Sequence, residues 1–555
     1  MLERRDSYRA LYRGFRWNIP QSFNIGTAVA DAWGGREPDR VALFEYRAEG
    51  TVERLTYREL TARSNALANA LRTAGIKRGD RVALLLPQCF ETAISHAAIF
   101  KLGAIAVPLA LLFGVEALEY RLQTAGVKAV VTNGAGLDKL KAIRDRLTAL
   151  ETVISTDGAD AGARGFHQLV ADNSGAFTAE ATGPDDPAMM IFTSGTTGPP
   201  KGALHGHRVL LGHLPGVGMH HEFLPQPGDL LWTPADWAWA GGLLNVLLPG
   251  LYLGVPVVAG RFEKFDPEAA LRLMEEMKVR NAFIPPTALR MLKGVPDIAR
   301  RFRLSLRTVG SGGEALGRET YDWARAELGL TINEFYGQTE CNLVLSSCGE
   351  IGVSRAGAIG LPVPGHRVAV IDGEGQPVAR GEVGQVAVRR PDPVMFLEYW
   401  RNEEATRQKF IGDWMTTGDQ GLVDEDGYFH FVGRDDDVIT SAGYRIGPTE
   451  IEDCLTGHPA VALAAAVGKP DPLRTEIVKA YVMLKDASAA NAALAEEIRL
   501  WVRDRLSAHE YPREVEFVDS MPLTTTGKII RRIFRERARR EAGQAAAANG
   551  RSVER

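Results

Sequence analysis

Residues 193 to 202 read Thr193-Ser-Gly-Thr-Thr-Gly-Pro-Pro-Lys201-Gly202 and directly follow the apolar run Ala188–Phe192. The segment contains four hydroxyl side chains, three glycines and one lysine. A strand that leads into such a loop can present backbone N–H groups, hydroxyl donors and a cation to a polyphosphate, because no bulky side chain blocks the approach. The loop is not a Walker A loop, since Lys201 follows a proline and no Ser or Thr comes after it. A flexible surface linker is the alternative interpretation of this composition.

The chain has 555 residues, which is too long for one hydrophobic core, so several packed units are expected. Its residues are 45% hydrophobic and 24% charged, and a net charge of −4 gives no sign of a nucleic-acid footprint or a polybasic membrane patch. The four cysteines lack metal-type CxxC spacing and are sparse for a disulfide framework. Together with an N-terminus that lacks the apolar stretch of a signal peptide, they predict a cytoplasmic location.

One apolar segment has to be weighed as a membrane span. No charged residue occurs between Asp236 and Arg261, and residues 241–260 are mostly Leu, Val and Gly. Pro249, Pro256, Asn245 and five glycines would interrupt a spanning helix, however. The segment is therefore predicted to be buried helix, turn and strand.

The order of strand-like and helix-like segments indicates the fold class. Residues 41–44 and 81–86 have the composition of strands. Between these two segments, Leu and Ala recur at the 3–4 spacing of a helix in residues 56–74. Repeated β–α alternation predicts parallel sheets with helices on both faces. From about Gly357 the pattern changes to short strands and turns, which predicts a small antiparallel β unit. A new βα section follows residues 433–437 and runs to about Arg540.

A second glycine cluster, Gly310-Ser-Gly-Gly-Glu-Ala315, follows the strand-like residues 306–309. It satisfies G-x-G-x-x-A, and Glu334 lies about twenty residues further on, as in the dinucleotide-binding fingerprint. The cluster therefore supports a competing hypothesis, a nicotinamide-dependent oxidoreductase. Against it, two residues intervene before the helical pattern that begins at Arg318, so the glycines would not lie on a helix N-terminus.

Further motifs follow in order along the chain: Asn333–Glu340 (NEFYGQTE), Thr416–Asp419 (TTGD), Phe431–Arg434 (FVGR), Ser441–Glu450 (SAGYRIGPTE) and Pro522–Arg532 (PLTTTGKIIRR). With the first two clusters, this series resembles the AMP-forming acyl-adenylate family, which covers acyl-CoA synthetases, peptide-synthetase adenylation domains and firefly-type luciferases. The resemblance spans roughly residues 20 to 540. It implies an α/β fold with a large N-terminal domain (1–435) of two βαβ-type sheets plus a small β-barrel. A small, mobile α+β C-terminal domain (436–540) and a flexible tail (541–555) would follow.

The resemblance implies a nucleotide site. Tyr336 would stack on adenine, Thr339 would bind the α-phosphate and Glu340 would hold Mg²⁺; these residue types suit a flat base, an anion and a hard cation. Asp419 and Arg434 would contact the ribose. The remaining residues of the implied site are Thr193, Ser194, Gly195, Thr196, Thr197, Lys201, Gly313, Glu314, Ala315, Glu334, Phe335, Gly337, Phe431 and Arg445.

The C-terminal motifs imply further roles. Lys528, in the Pro522–Arg532 motif, would bind the carboxylate substrate and stabilise charge as pyrophosphate leaves, so Lys528, Thr339 and Glu340 form the implied catalytic set. The family usually has Lys where this chain has Leu523. The implied coenzyme A tunnel contains Ser441, Gly443 and Tyr444, and the hinge position is Asp436.

The implied reaction uses ATP, Mg²⁺ and coenzyme A to convert a carboxylic acid into an acyl-adenylate and then an acyl-CoA. Acetyl-specific relatives have Trp at the position of Gly337, so a medium-chain, branched or aromatic acid is expected here, and Gly337→Trp is expected to favour acetate. Trp237 and Trp239 would line the acyl pocket, although core packing suits at least one of them. No nucleic acid and no membrane span are expected, and a homodimer is possible. Besides the oxidoreductase, the alternatives are an enzyme that loads a carrier protein, a luciferase-like oxygenase and a non-catalytic nucleotide sensor.

Overall fold

The computed structural model describes residues 2–47, 50–160, 162–193, 199–260, 262, 264–435, 437–441, 444–471, 474–506, 511–524 and 528–553. Residues 440, 444, 445 and 543–553 are described by their backbone alone.

The strands of the described chain are β1 Val41–Tyr46, β2 Val52–Thr56, β3 Arg81–Leu85, β4 Ile105–Pro108, β5 Ala129–Thr132, β6 Thr152–Ser155, β7 Arg164–Gly165, β8 Pro187–Thr193, β9 Lys201–Gly206, β10 Leu231–Trp232, β11 Val257–Gly260, β12 Asn281–Phe283, β13 Thr308–Gly312, β14 Ile332–Tyr336, β15 Leu345–Ser346, β16 Leu361–Pro362, β17 Val368–Ile371, β18 Gly384–Arg389, β19 Glu398–Tyr399, β20 Phe410–Ile411, β21 Trp414–Val423, β22 Phe429–Arg434, β23 Ile439–Ser441, β24 Tyr444–Ile446, β25 Val461–Asp471, β26 Thr475–Leu484 and β27 Glu514–Phe517.

The α-helices are α1 Tyr8–Gly14, α2 Ala32–Arg36, α3 Tyr57–Thr73, α4 Phe90–Lys101, α5 Val115–Ala125, α6 Gly134–Lys141, α7 Phe166–Asp172, α8 Val209–His220, α9 Ala240–Gly242, α10 Leu248–Leu253, α11 Pro267–Glu276, α12 Pro286–Lys293, α13 Ile298–Arg301, α14 Arg318–Trp323, α15 Glu403–Gln408, α16 Pro448–Thr456, α17 Ala492–Arg505 and α18 Arg531–Val553. Three π-helical turns, Thr27–Asp31, Leu243–Leu247 and Ala324–Leu328, adjoin α2, both α9 and α10, and α14.

Two large sheets form the framework of the N-terminal domain. One has eight strands in the order β19-β9-β8-β4-β3-β5-β6-β7, and the other has nine in the order β16-β15-β14-β13-β12-β10-β11-β1-β2. The central strands of both sheets pair in parallel, and the antiparallel pairs lie toward the edges. These sheets confirm the prediction of two βαβ-type units, because buried, mostly apolar strands alternate with helices that cover their faces.

Local sequence explains why individual elements begin and end where they do. Helix α3 starts with a capping box, in which the Thr56 hydroxyl accepts from the Glu59 N–H and the Glu59 carboxylate accepts from the Thr56 N–H. Such a cap stabilises a helix by about 1 kcal/mol. The helix then buries Leu60, Leu67 and Leu71, which recur at helical spacing, and ends at Thr73. The sequence-based prediction for residues 56–74 is therefore confirmed.

The uncharged segment between Asp236 and Arg261 contributes to the main hydrophobic core, which contains residues from both large sheets. It forms α9, a π-helical turn, α10 and strand β11, as the prolines and glycines predict. Of the helices in the described ranges, none combines the length and apolar character needed to cross a bilayer.

The small antiparallel unit begins at β17. Its strands follow the order β17-β18-β21-β20, and β22 also pairs with β21. This five-stranded sheet corresponds to the predicted β-barrel. The ten-residue strand β21 pairs with β20 at its beginning and with β22 along its second half. The β21–β22 hairpin sets Asp419 opposite Arg434.

The C-terminal domain has its own sheet, in the order β24-β23-β26-β25 with β27 beside β26. Tyr481 of β26 stacks on Phe534 of α18, with ring centroids 4.4 Å apart, which fixes the last helix to the sheet. The backbone of that helix continues to Val553, so residues 541–553 of the predicted tail are helical.

The side chains of the two aspartates on either side of residue 436 contact different domains, although the Asp437 N–H donates to the Arg434 carbonyl at 3.0 Å. Asp435 accepts hydrogen bonds from Gln385 (2.6 Å) and Gln420 of the antiparallel unit. Asp437 instead lies 3.3 Å from Arg531 and 2.8 Å from Arg535, both on α18. Residue 436 itself, the predicted hinge Asp436, lies outside the described residues.

Candidate active site

The arms of the predicted phosphate loop are a β-hairpin. Strands β8 and β9 pair antiparallel, and Thr193 stands opposite Lys201 at the end where the two strands join the loop. The tip, which contains the predicted residues Ser194, Gly195, Thr196 and Thr197, lies outside the described part of the chain. At the base of the loop, the Lys201 Nζ stands 5.2 Å from the centroid of the Tyr399 ring.

Glu340 is buried beside this hairpin, next to Thr339. The hydroxyl of Tyr399 donates to Glu340 Oε1, and the Phe396 N–H donates to the Glu340 carbonyl at 2.8 Å. Segment 396–399 thus holds both the side chain and the backbone of Glu340. Sequence reasoning did not identify Tyr399, because it lies 59 residues from Glu340 and outside the motifs.

Asp419 is the centre of a polar cluster. Its Oδ2 accepts from the Tyr336 hydroxyl at 2.5 Å and from Gln338 Nε2 at 2.6 Å, and its Oδ1 lies 3.1 Å from Arg434 Nη1. Burial raises the pKa of the Asp419 carboxyl, and the charge of Arg434 opposes that rise. The cluster brings together three predicted residues, Tyr336, Asp419 and Arg434, and adds Gln338. Phe431 lies on β22 with its side chain partly buried.

The glycine loop after β13 carries Gly313, Glu314 and Ala315. Gly313 has φ of +95°, a backbone conformation that L side chains rarely adopt. Glu314 accepts from the Thr287 hydroxyl at 2.8 Å and forms an ion pair with Arg290 at 3.2 Å. Arg290 also donates to the Ala315 carbonyl at 2.9 Å, so helix α12 fixes the loop.

Glu334 and Phe335 lie on β14 beneath that loop, and both are buried. The Leu316 N–H donates to Glu334 Oε1 at 3.1 Å. Burial raises the pKa of Glu334 from 4.5 to about 8; the Leu316 N–H and Arg290 oppose the rise and Asp453 adds to it. Because helix α14 begins only at Arg318 and Glu334 faces the Leu316 N–H, the loop lacks the arrangement of a dinucleotide fingerprint.

Lys528 belongs to the C-terminal domain, and its side chain is exposed. Desolvation lowers the pKa of its ammonium group; the charges of Glu314 and Asp419 oppose that effect, while Arg434 and Arg531 add to it.

The predicted acyl-pocket residues differ in their surroundings. Trp237 is 1% exposed and belongs to the main hydrophobic core, whereas Trp239 is partly exposed and packs edge-on against Phe113, with centroids 5.6 Å apart. At Gly337, an added Cβ would lie 2.1 Å from the Leu343 backbone nitrogen. Any side chain at position 337 would therefore force the backbone to move.

Gln88, which the sequence gave no reason to select, holds the loop before these tryptophans. Its Nε2 donates to the carbonyls of Thr233 (3.1 Å) and Ala235 (2.7 Å), and its Oε1 accepts from the Gly260 N–H at 3.2 Å. Because Gln88 follows β3 and the other three residues belong to the nine-stranded sheet or follow its strands, this side chain links the two large sheets.

Of the predicted coenzyme A residues, Ser441 lies buried at the end of β23, opposite Tyr444 in β24. Tyr444 and Arg445 are described by their backbone only, and Gly443 lies outside the described residues.

The only carboxylate predicted to bind metal is Glu340, and the described residues contain no cluster of three or more His, Cys, Asp or Glu side chains that would hold an ion by themselves. This fits Mg²⁺, which commonly binds one or two carboxylates plus substrate phosphates.

We predict that Glu334→Gln changes how stability depends on pH. With its pKa raised to about 8, Glu334 stays protonated in the folded protein while the unfolded chain ionises above about pH 4.5, so stability falls as the pH rises between these values. Gln cannot ionise. Thermal unfolding of the nucleotide-free protein should therefore show the variant gaining melting temperature relative to wild type between pH 5.5 and 8.5. Identical pH dependence in both proteins would show that Glu334 ionises normally; Glu374→Gln, at an exposed turn, is the control.

Comparison with known proteins places this geometry in a family. The family model "AMP-binding enzyme" matches residues 30–400, and "AMP-binding enzyme C-terminal domain" matches residues 450–528. Acetyl-coenzyme A synthetase of Bacillus subtilis (strain 168) is 35% identical over 90% of this chain and 87% of its own length. Acyl-coenzyme A synthetase ACSM2B, mitochondrial, of Homo sapiens is 33% identical over 95% of this chain and 93% of its own length. The crystal structure of the anthranilate CoA ligase AuaEII in complex with anthranoyl-AMP aligns with a TM-score of 0.87 at 29% identity, covering 95% of this chain and 99% of that one. The chain therefore belongs to the AMP-binding enzyme family, as an ATP-dependent acyl-CoA ligase.

Proposed function

We propose that this ligase activates a medium-chain, branched or aromatic carboxylic acid through the residues described above, with Mg²⁺ accompanying ATP. The observation that carries the proposal is the buried Asp419 cluster, in which the carboxylate contacts Tyr336, Gln338 and Arg434. These contacts support a nucleotide site at the residues that the family resemblance implies, and we propose that Lys528 of the small domain reaches the same site during adenylate formation.

In the first half-reaction, a carboxylate oxygen of the acid attacks the α-phosphorus of ATP. The bond from that phosphorus to the bridging oxygen breaks, and pyrophosphate leaves. Lys528 and Thr339 would stabilise the charge that develops on the reacting oxygens, and Lys201 would hold the outer phosphates. Mg²⁺ bound at Glu340 would neutralise phosphate charge. Asp419 would accept from the ribose hydroxyls, while Tyr336 stacks on adenine.

In the second half-reaction, the thiol of coenzyme A loses its proton and its sulfur attacks the acyl carbonyl carbon. The bond between that carbon and the adenylate oxygen then breaks and AMP leaves. We propose that the small domain turns about residue 436 between the two steps, so that Lys528 withdraws and the loop containing Ser441, Gly443 and Tyr444 takes its place. The different attachments of Asp435 and Asp437 support a turning point between them.

The proposed acid class rests on the surroundings of the acyl segment. Gly337 contributes no side chain, and Trp239 is the more accessible of the two tryptophans. A ring acid has a precedent in the related anthranilate CoA ligase. Gly337→Trp is not a clean test of acid preference, because the new side chain would displace the backbone at Leu343 as well as fill a pocket. Other substitutions are therefore used below.

The proposal also includes a cytoplasmic location. All four cysteines are free, as expected in a reducing cytoplasm. A homodimer stays a prediction. The oxidoreductase hypothesis is not favoured, since it explains only the loop at Gly310–Ala315.

We predict that ATP-dependent pyrophosphate release, measured with acids from acetate to decanoate plus benzoate, requires coenzyme A for turnover and peaks at a mid-length or ring acid. Release that ignores coenzyme A would indicate a carrier protein or another acceptor. No release with any acid would support the sensor hypothesis.

We predict that Lys528→Ala separates the half-reactions. Adenylation should slow by roughly 10²–10³-fold, because a cation that stabilises the transition state is lost. Thioester formation from supplied acyl-adenylate should keep its wild-type rate. Arg532→Ala is a matched control, since Arg532 belongs to the same motif but is exposed and pairs with Glu536. Equal loss of both half-reactions would contradict separate roles for the two conformations.

We predict that the two tryptophans give different phenotypes. Trp239→Ala should shift the preferred acid toward longer or bulkier chains, with little loss of melting temperature. Trp237→Ala should instead destabilise the fold by about 3–5 kcal/mol, because it opens a cavity in the core. Acid profiles and thermal unfolding of both variants check this. An unchanged profile for Trp239→Ala would place the acyl pocket elsewhere.

A further inference from the structure

We propose that Tyr399 is a positioning residue that orients Glu340 toward the metal and Lys201 toward the phosphates, and that keeps these two opposite charges apart. The inference rests on the proposed roles of Glu340 and Lys201. It concerns a side chain outside the motifs that predicted the site.

The backbone of Tyr399 is fixed to the strand that begins at Lys201. Strand β19 pairs antiparallel with β9, and Tyr399 stands opposite Ala203. On either side, the Leu397 N–H donates to the Leu204 carbonyl and the Trp400 N–H donates to the Gly202 carbonyl, both at 2.7 Å. The backbone of Tyr399 therefore has a defined position relative to the strand that Lys201 begins.

The hydroxyl of Tyr399 orients the carboxylate of Glu340. The side chain is only 5% exposed, and its O–H donates to Glu340 Oε1. A hydrogen bond to a carboxylate in a site with little water is strong and directional. Within the described ranges, no protein hydrogen bond reaches Oε2 of Glu340, so the oxygen left for a cation is the one that the tyrosine does not use.

The face of the same ring holds Lys201. The ammonium nitrogen lies 5.2 Å from the ring centroid, within the range of a cation–π interaction. Phe396 supports the ring in turn, with centroids 4.9 Å apart. One aromatic side chain thus contacts a cation with its face and a carboxylate with its hydroxyl.

This arrangement separates two charges that attract each other. Among the described residues, Lys201 and Glu340 form no ion pair with each other, although both contact Tyr399. A direct pair would neutralise the phosphate-binding cation and the metal-binding carboxylate together. The tyrosine gives each charge another partner, so both are available to the nucleotide and its metal without first breaking a salt bridge.

Two substitutions separate the two contacts. Tyr399→Phe removes the hydroxyl and keeps the ring, while Tyr399→Leu removes both. Calorimetry with a non-hydrolysable ATP analogue gives two quantities: nucleotide affinity in EDTA, which reports on Lys201, and the Mg²⁺ concentration that gives half of the metal-dependent gain in affinity, which reports on Glu340. Neither measurement depends on catalytic activity.

For Tyr399→Phe we expect the half-effective Mg²⁺ concentration to rise about tenfold, the measure of a contact energy near 1.4 kcal/mol, with unchanged affinity in EDTA. For Tyr399→Leu we expect both quantities to worsen. Tyr57→Phe is the matched control, because it removes a buried hydroxyl bond to the Leu251 carbonyl in another part of the large domain. It should lower melting temperature and leave the Mg²⁺ requirement unchanged.

Glu340→Gln distinguishes failure of this inference from failure of the proposed function. If Glu340→Gln leaves the Mg²⁺ requirement unchanged, Glu340 is not the metal ligand and both ideas fall. If Glu340→Gln raises the requirement but Tyr399→Phe does not, the positioning role alone is overturned. The double variant should be no worse than Glu340→Gln, because the hydroxyl acts through that carboxylate; fully additive effects would also overturn the role.

Discussion

The buried carboxylate of Asp419 is the point at which the separate units of this chain meet. It accepts hydrogen bonds from Tyr336 and Gln338, which lie at and just after the end of strand β14 in the nine-stranded sheet. Its own strand, β21, belongs to the antiparallel unit. Its ion-pair partner, Arg434, ends the last strand before the C-terminal domain. A buried charge is stable only when it is paired and hydrogen-bonded, so these elements have to be assembled together. The Asp419 cluster consequently depends on the packing of two sheets rather than on one loop.

Most charged groups around this point have a protein partner. Glu314 pairs with Arg290 and Asp419 with Arg434, Glu340 accepts a hydrogen bond from the Tyr399 hydroxyl, and burial raises the pKa of Glu334. In the proposed reaction, Lys528 and Lys201 would face the incoming polyphosphate. Because the protein groups already have partners, few of them need to reorganise when ATP and the acid bind, which is the condition for effective electrostatic catalysis.

The alternation of strand-like and helix-like segments was sufficient to predict the α/β fold with its large sheets, and the motifs predicted Tyr336, Asp419 and Arg434, which the fold brings together. They could not identify Tyr399, Gln338 or Gln88. Each of these forms side-chain hydrogen bonds with residues 59 to 172 positions away, and neither Tyr nor Gln has a local pattern that signals such a partner. The expectation for Gly337→Trp failed as a test for a related reason. Sequence shows that a side chain is missing, but only the fold shows that the backbone of Leu343 occupies the space.

The two aspartates beside residue 436 have a mechanical consequence. The side chain of Asp435 binds Gln385 and Gln420, and that of Asp437 binds Arg531 and Arg535, while the Asp437 and Val438 N–H groups both donate to the Arg434 carbonyl at 3.0 Å. If the small domain turns at residue 436 as proposed, the side-chain contacts of both aspartates could stay in place, whereas the two hydrogen bonds to the Arg434 carbonyl would have to break. Lys528, three residues before Arg531, would then move together with the partner of Asp437, so the same contact that anchors the chain after residue 436 would also guide the lysine.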